Sequence, residues 1–150
     1  MKYMVWFDMD GTLNRFYEVP DWLPKLRASD PSPYAEAKVN LNMSLLARYI
    51  HKLQAMEIGV GIISWAAMDS SPTFKKATAK NKDEWLGLRL PSVQFDAVHI
   101  TDYGVPKQDF MRTPQDILFD DNASIRDAWT GTAYPPEVIL QVLKEIIHNG

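Results

Sequence analysis

The sequence predicts an α/β fold in which helices cover both faces of a parallel β-sheet. Short apolar runs alternate along the chain with longer segments whose apolar residues recur at helical spacing. This alternation indicates right-handed βαβ units, whose parallel strands are buried on both faces. Three of the apolar runs end in an acidic or hydroxyl residue. Polar groups are therefore expected at the carboxyl edge of the sheet, where such folds bind ligands.

Length and composition limit the domain count and the chemistry. The 150 residues are 46% hydrophobic and 23% charged, which predicts one globular domain over 1–150. The formal net charge of −3 gives no bulk attraction to nucleic acid or to an anionic membrane. The absence of cysteine excludes disulfides, thiolate nucleophiles and cysteine-ligated metal centres. With no apolar run of membrane-spanning length, we expect a soluble, cytoplasmic protein without a membrane partner.

The strands are predicted from apolar runs rich in β-branched and aromatic residues. They are expected at 3–7, 58–64, 95–100 and 116–119, with a short edge strand at 132–134. Asp8 follows the first strand, Ser64 ends the second and Asp120 follows the fourth. Because the carboxyl ends of parallel strands meet at one edge of a sheet, these three side chains are expected to converge.

The helices are predicted from a 3.6-residue apolar period and from capping residues. One is expected over 42–56, and a second begins at Ser71-Pro72 and runs to 85 or 86. A short helix capped by Asn122 or Ser124 runs through 129, and the last helix opens at Pro135.

Two connections are long enough to cover a site. The segment 14–40 is predicted to be an irregular insertion, because its prolines forbid a long helix or a central strand. These prolines are Pro20, Pro24, Pro31 and Pro33. A lid segment is expected within about 65–94, and neither connection has room for a full cap domain.

The polar strand ends predict a metal-assisted reaction at phosphorus. Asp8 and Asp10 are two residues apart, a spacing that points both carboxylates to the same side of an extended strand end. Asp120 and Asp121 would crowd further negative charge against them, and oxygen ligands of this kind suit Mg²⁺. The ammonium of Lys107 and the hydroxyl of Ser64 are suited to bind phosphoryl oxygens, and Gly11 lets the backbone approach closely.

Four ordered motifs in this chain resemble those of the haloacid dehalogenase superfamily. They are Asp8-Met9-Asp10-Gly11-Thr12-Leu13, Ser64 after Ile62-Ile63, Lys107, and Asp120-Asp121 after Ile117-Leu118-Phe119. The resemblance implies a Rossmann-like three-layer sandwich with a central parallel sheet, here without a full cap domain. It also implies a small phosphatase of the capless type, which cleaves a phosphate monoester.

The same resemblance implies a role for each motif residue. Asp8 would attack phosphorus to form an aspartyl phosphate, while Asp10 would protonate the leaving oxygen and later activate water. The expected Mg²⁺ ligands are Asp8, the carbonyl of Asp10, Asp120 and Asp121. The residues expected at the substrate phosphate are Ser64, Lys107, Gly11 and Thr12.

Two further groups of side chains lie near the predicted site in sequence. The lysine stretch Lys75, Lys76, Lys80 and Lys82 could guide a polyanion, but we interpret it as a solvated helix face. The aromatic residues could stack on a base or ring, but we interpret them as packing beneath the insertion. They are Phe16, Tyr17, Trp22 and Trp65.

Competing functions stay open at this point. A phosphoreceiver domain also combines aspartates, a hydroxyl residue and a lysine, but in receivers the acidic pair comes first and the lysine last. A catalytically idle binding module would keep the fold without Asp8 chemistry. Among enzymes, the phosphorylated substrate is either a small molecule or a macromolecular end, and a nucleic-acid end phosphatase is the leading specific alternative.

Overall fold

Strand β1 (Met4–Phe7) is the middle strand of a five-stranded parallel sheet with the order β3-β2-β1-β4-β5. In this computed structural model, which describes residues 1–150, every side chain of β1 is buried. The flanking strands are β2 (Gly59–Trp65), β3 (Ala97–Thr101), β4 (Ile117–Phe119) and β5 (Thr132–Tyr134). The predicted parallel α/β sheet is confirmed, including the edge strand.

Six α-helices connect or follow the strands. They are α1 (Trp22–Arg27), α2 (Ser32–Glu36), α3 (Met43–Ala55), α4 (Pro72–Arg89), α5 (Ala123–Ala128) and α6 (Ile139–Asn149). Short 3₁₀ turns lie at Phe16–Glu18, Lys107–Phe110 and Pro136–Val138. Asn42, Ser71 and Asn122 cap α3, α4 and α5 by accepting backbone hydrogen bonds with their side chains, and the caps of α4 and α5 are those expected from the sequence. No helix is both long and apolar enough to cross a bilayer.

Alternate residues of β1 face two separate cores. Val5 and Phe7 pack in the larger core with side chains of α3, α4 and α6. Met4 and Trp6 point the other way, into a smaller core that includes Trp129 and is flanked by Ile125 of α5. This alternation follows from the two-residue period of a strand, and it produces helices on both faces of the sheet.

Helix α4 extends past its predicted end at 86 to Arg89. Gly87 lies on an exposed turn of the helix, where a glycine costs only about 1 kcal/mol relative to alanine. Leu86 and Leu90 are both buried in the larger core, and the backbone N–H of Leu90 donates to the carbonyl of Leu86. The burial of these two leucines outweighs the low helix propensity of Gly87.

The insertion at 14–40 is more regular than predicted, since it contains α1, α2 and a 3₁₀ turn. Pro24 and Pro33 both lie in the first turn of a short helix, where a missing N–H breaks no helical hydrogen bond. The prolines do exclude a long helix, as expected. Helix α4 occupies most of the segment 65–94, so the expected lid stays a prediction that concerns only the loop before α4.

Asp116 connects the start of β1 to the start of β4 from a fully buried position. Its Oδ1 accepts from the Met4 N–H at 2.8 Å and from the Thr113 hydroxyl at 2.8 Å. Its Oδ2 accepts from the Trp6 indole at 3.0 Å and from the Arg112 N–H at 2.8 Å. Burial acts to raise the pKa of Asp116, but these donors outweigh it and hold that pKa below its ordinary value.

We predict that Asp116→Asn lowers the free energy of unfolding by about 2 to 4 kcal/mol. In either orientation the amide NH₂ would face two donors that now bind a carboxylate oxygen. Chemical denaturation should show a lower midpoint with an unchanged slope. The control Asp83→Asn, on the exposed face of α4, should stay within about 0.5 kcal/mol of wild type.

The same pair of proteins gives a pH test with a definite sign. Because the folded-state pKa of Asp116 is depressed, its stabilisation is present above the unfolded pKa of about 4 and is lost as pH falls through the folded value. The stability difference between wild type and Asp116→Asn should therefore be largest above about pH 4 and should shrink below it. A difference that grows in acid would contradict this account of Asp116.

Candidate active site

The loop after β1 brings two carboxylates to the carboxyl edge of the sheet. The backbone N–H of Asp8 donates to the carbonyl of Phe119 at 2.9 Å, so Asp8 is still tied to β4 as the strand ends. The chain then turns through Gly11, whose φ of +80° lies in the left-handed region that favours glycine. The buried side chain of Asn14 holds this turn by accepting from the N–H groups of Gly11 and Phe16, at 3.2 and 3.1 Å.

The insertion at 14–40 begins and ends beside this loop. The Arg15 N–H donates to the carbonyl of Lys38 at 2.8 Å, and the Asn40 N–H donates to the carbonyl of Leu13 at 2.9 Å. The Asn40 amide also donates to the carbonyl of Thr12 at 3.1 Å. The base of the insertion is therefore built into the loop that carries Asp8 and Asp10.

Lys107 joins Asp8 to Asp120. Its buried ammonium donates to Oδ1 of Asp8 at 2.9 Å and to Oδ2 of Asp120 at 2.7 Å. Burial alone would lower the pKa of Lys107, but the charges of Asp8 and Asp120 raise it above the ordinary value. The sequence analysis expects Lys107 at the substrate phosphate, and in the structure its ammonium lies at the site, bound to the carboxylates of Asp8 and Asp120.

Thr12 lies behind the carboxylates. Its hydroxyl donates to Oδ2 of Asp8 at 2.9 Å and accepts from the N–H of Asp121 at 3.1 Å. The side chain is fully buried, and its N–H donates to the carbonyl of Met9. These contacts link Asp8 to Asp121, and the expected contact of Thr12 with phosphate stays a prediction.

Asp8, Asp120 and Asp121 form a cluster that fits a divalent cation. One carboxylate oxygen from each lies within 4.8 Å of the others. Desolvation, with the neighbouring charges of Asp8 and then Asp120, raises the pKa of Asp121 to about 8. Such crowding is relieved by a cation, and carboxylate oxygens are the ligands that Mg²⁺ prefers.

Lys82 is a site residue that the sequence interpretation missed. The lysine stretch was interpreted as a solvated face, but Lys82 is only 1% exposed. Its ammonium donates to Oδ2 of Asp10 at 3.0 Å, to the hydroxyl oxygen of Ser64 at 2.7 Å and to the carbonyl of Trp65 at 2.8 Å. It also lies 4.8 Å from the centre of the Tyr34 ring. All three N–H groups of Lys82 are therefore engaged within the protein.

The lysines before Lys82 do behave as surface residues. Lys75 pairs with Asp102 at 3.1 Å, and Lys80 pairs with Glu84 at 4.0 Å while its side chain is 77% exposed. The helix spacing explains the difference, because Phe74, Thr78 and Lys82 recur every four residues on the buried face of α4.

The two carboxylate oxygens of Asp10 differ in their surroundings. Oδ2 is bound by Lys82, while Oδ1 is buried without a hydrogen-bond partner. Desolvation raises the pKa of Asp10, and the positive charge of Lys82 opposes this only in part. A buried oxygen without a partner costs free energy, which is typical of a group that binds a substrate.

Ser64 meets Asp10 through Lys82. Its side chain is buried at the end of β2, and its oxygen accepts from Lys82, which leaves its own proton free to donate. The predicted residues Asp8, Asp10, Lys107, Asp120 and Asp121 line an open cleft of about 680 Å³. Ser64, Gly11 and Thr12 do not form part of its wall.

The chain matches no protein-family model and no curated protein in sequence. Its structure is similar to D,D-heptose 1,7-bisphosphate phosphatase from B. bronchiseptica, complexed with magnesium and phosphate, with a TM-score of 0.55 and 13% identity over 99% of each chain. The corresponding phosphatase from Burkholderia thailandensis gives a TM-score of 0.50 and 15% identity over 85% of this chain and 71% of that one. A chain of the Pnkp1/Rnl/Hen1 complex gives 0.53 and 13%, over 89% of this chain and 45% of that one. The chain therefore has the same Rossmann-like α/β fold as these two heptose bisphosphate phosphatases.

Proposed function

We propose that this protein is a Mg²⁺-dependent phosphohydrolase that cleaves phosphate monoesters through an aspartyl phosphate at Asp8. The observation that carries the proposal is the contact of Lys107 with both Asp8 and Asp120, at 2.9 and 2.7 Å, beside Asp121 at the wall of the cleft. Motifs far apart in sequence thus meet at one edge of the sheet, in a fold shared with phosphatases. The similarity of fold supports the reaction class. The substrate has to be inferred from the side chains that line the cleft.

In the first half-reaction, a carboxylate oxygen of Asp8 attacks phosphorus, and the bond from phosphorus to the ester oxygen breaks. Asp10 gives its proton to that oxygen, so the alcohol leaves neutral. In the second half-reaction, Asp10 takes a proton from water as the water attacks the phosphoryl group on Asp8. Inorganic phosphate leaves, and the Asp8 carboxylate is restored.

The positive groups of the site would stabilise the transferring phosphoryl group. Mg²⁺ bound by Asp8, Asp120, Asp121 and the carbonyl of Asp10 would neutralise charge on the phosphoryl oxygens. Lys107 holds the Asp8 carboxylate in place and adds positive charge beside it. The Ser64 hydroxyl, whose oxygen is engaged by Lys82, has its proton available for a phosphoryl oxygen.

Lys82 acts as a positioning residue for Asp10. Its three hydrogen bonds fix Oδ2 of Asp10 relative to Ser64 and to the backbone of β2. The other oxygen, Oδ1, has no hydrogen-bond partner in the protein, so the Asp10 carboxyl keeps one oxygen for proton exchange, which the substrate or water must reach on entering the site. Because all three N–H groups of the Lys82 ammonium are already hydrogen-bonded, Lys82 does not bind the substrate directly. It acts by holding Asp10 and Ser64 in position.

We predict that Asp8→Asn lowers phosphate release by at least about 10³-fold, because the amide cannot act as the nucleophile. The measurement is phosphate release with Mg²⁺ from a panel of sugar phosphates, nucleotides and 5′- or 3′-phosphorylated oligonucleotides. Asp83→Asn should keep wild-type rates, and a chelator should abolish activity until Mg²⁺ is restored. A folded Asp8→Asn variant with wild-type rates would overturn the mechanism, and a wild type inactive on every ester would favour an idle binding module.

We predict that Lys82→Met lowers kcat/KM, which reports the first half-reaction, by about 10²-fold on an alkyl ester such as ribose 5-phosphate, since Asp10 is no longer held to protonate the leaving oxygen. The loss should be much smaller on p-nitrophenyl phosphate, whose leaving group needs little protonation, and Asp10→Asn should show the same contrast. Lys80→Met, two residues earlier and on the solvent side of α4, should change neither rate. Equal losses of kcat/KM on the two esters would assign Lys82 a structural role only.

A further inference from the structure

The cleft beside Asp8 has an aromatic wall that the phosphoryl chemistry does not use. Its volume is about 680 Å³, and more than half of its lining residues are hydrophobic, 13 of 23. Two pairs of aromatic rings contribute to this wall: Tyr17 with Trp22, and Trp65 with Tyr103. The two tyrosines are 53% and 50% exposed, although both rings adjoin a site made largely of buried side chains.

The first pair lies against the loop that carries Asp10. A methyl group placed on Gly11 would come within 3.0 Å of the Tyr17 ring, so this ring covers the turn directly. Tyr17 meets Trp22 edge to face, with ring centres 5.1 Å apart. Both rings rest on Phe16, which is buried and stacked on Tyr34 at 4.8 Å. The pair is thus held from below, and much of the Tyr17 ring stays open to the cleft.

The second pair, Trp65 with Tyr103, lies beside the ammonium group of Lys107. The Trp65 ring is 5.6 Å from the ammonium of Lys107, and its indole N–H donates to the carbonyl of Val105 at 2.8 Å. Tyr103 packs against Trp65 with ring centres 5.0 Å apart. A phosphate ester bound at Lys107 would therefore carry its alcohol portion past exposed aromatic rings.

The charged side chains around the cleft favour a substrate that carries a single phosphate group. Five aspartates line the cleft against only two basic side chains, Arg27 and Lys107. The lysines of α4 supply no basic track towards it, because Lys75 and Lys80 are paired with acidic residues and Lys82 is turned inward, which leaves Lys76 as a single exposed, unpaired lysine. A polynucleotide would bring further phosphates that this cleft has no basic track to bind, whereas a mononucleotide brings only the one that reacts.

We infer that the aromatic pairs form a binding site for the base of a nucleoside monophosphate, a substrate class that rests on the proposed phosphohydrolase function. Any nucleobase can stack on such rings, whatever hydrogen-bonding groups it carries. A wall made of aromatic rings is therefore suited to bind a base. Stacking on one aromatic residue accounts for about a 5- to 150-fold difference in binding. The structure therefore assigns Tyr17, Trp22, Trp65 and Tyr103 to substrate selection.

The test compares AMP with ribose 5-phosphate, which present the same primary ester and differ by the base. We expect kcat/KM to be at least about tenfold higher for AMP. Tyr103→Leu should lower this ratio at least threefold, and Tyr103→Phe, which keeps the ring, should restore it. Leu88→Ala, on an 80% exposed side chain outside the cleft, should leave the ratio unchanged.

Binding gives a second readout that does not need turnover. AMP should quench the tryptophan fluorescence of Asp8→Asn, since Trp22 and Trp65 line the cleft, and ribose 5-phosphate at the same concentration should not. Equal kcat/KM for the two esters would overturn the base site and leave the phosphohydrolase intact. A 5′-phosphorylated oligonucleotide cleaved better than AMP would overturn the mononucleotide assignment. If no ester is hydrolysed, the proposed function fails, and selective quenching by AMP alone would still support the base site.

Discussion

The crowding of four carboxylates at one edge of the sheet is the constraint on which the rest of this site depends. Asp8, Asp10, Asp120 and Asp121 meet there because β1 and β4 are adjacent and parallel. Two buried lysines on separate elements offset this charge: Lys107 between Asp8 and Asp120, and Lys82 beside Asp10. Burying unpaired charges would cost several kcal/mol each, so the fold of α4 and of the 107–110 turn is coupled to the acidic loops. The remaining excess of negative charge is what a divalent cation would neutralise.

The strands and the convergence of their ends could be predicted from the sequence because they depend on local patterns. Continuous apolar runs identify parallel strands, and the residue after each run must lie at the carboxyl edge. This is why Asp8, Ser64 and Asp120 could be placed together, although Asp8 and Asp120 are more than a hundred positions apart, whereas Lys107 was placed by the resemblance of its motif. The helix caps Ser71 and Asn122 were predictable for the same reason, since capping depends on the next three residues only.

The features that escaped prediction depend on long-range packing. Lys82 belongs to a run of lysines, and charge alone indicates a solvated face, but its spacing from Phe74 and Thr78 puts it on the buried stripe of α4. Helical phase was therefore the available signal, and it should take precedence over residue type when a lysine falls on an apolar stripe. Thr12 gave no comparable signal, because its hydroxyl partners, Asp8 and Asp121, are known only once the loops have met. The short helices of the insertion likewise follow from packing, as Phe16, Tyr34 and Phe74 form a small aromatic core of their own.

The central claim is that the phosphoryl group passes through Asp8, and trapping the acyl phosphate tests it most directly. The Asp10→Asn variant would be mixed with p-nitrophenyl phosphate and Mg²⁺, quenched in acid within one turnover, reduced with borohydride and digested for mass spectrometry. p-Nitrophenyl phosphate needs little proton donation from Asp10 to form the aspartyl phosphate. Hydrolysis of the aspartyl phosphate does need Asp10, so the intermediate should accumulate in this variant. The account predicts homoserine at position 8 only when substrate was present. Phosphate release with no modification at Asp8, or with the phosphoryl group on another residue, would contradict it.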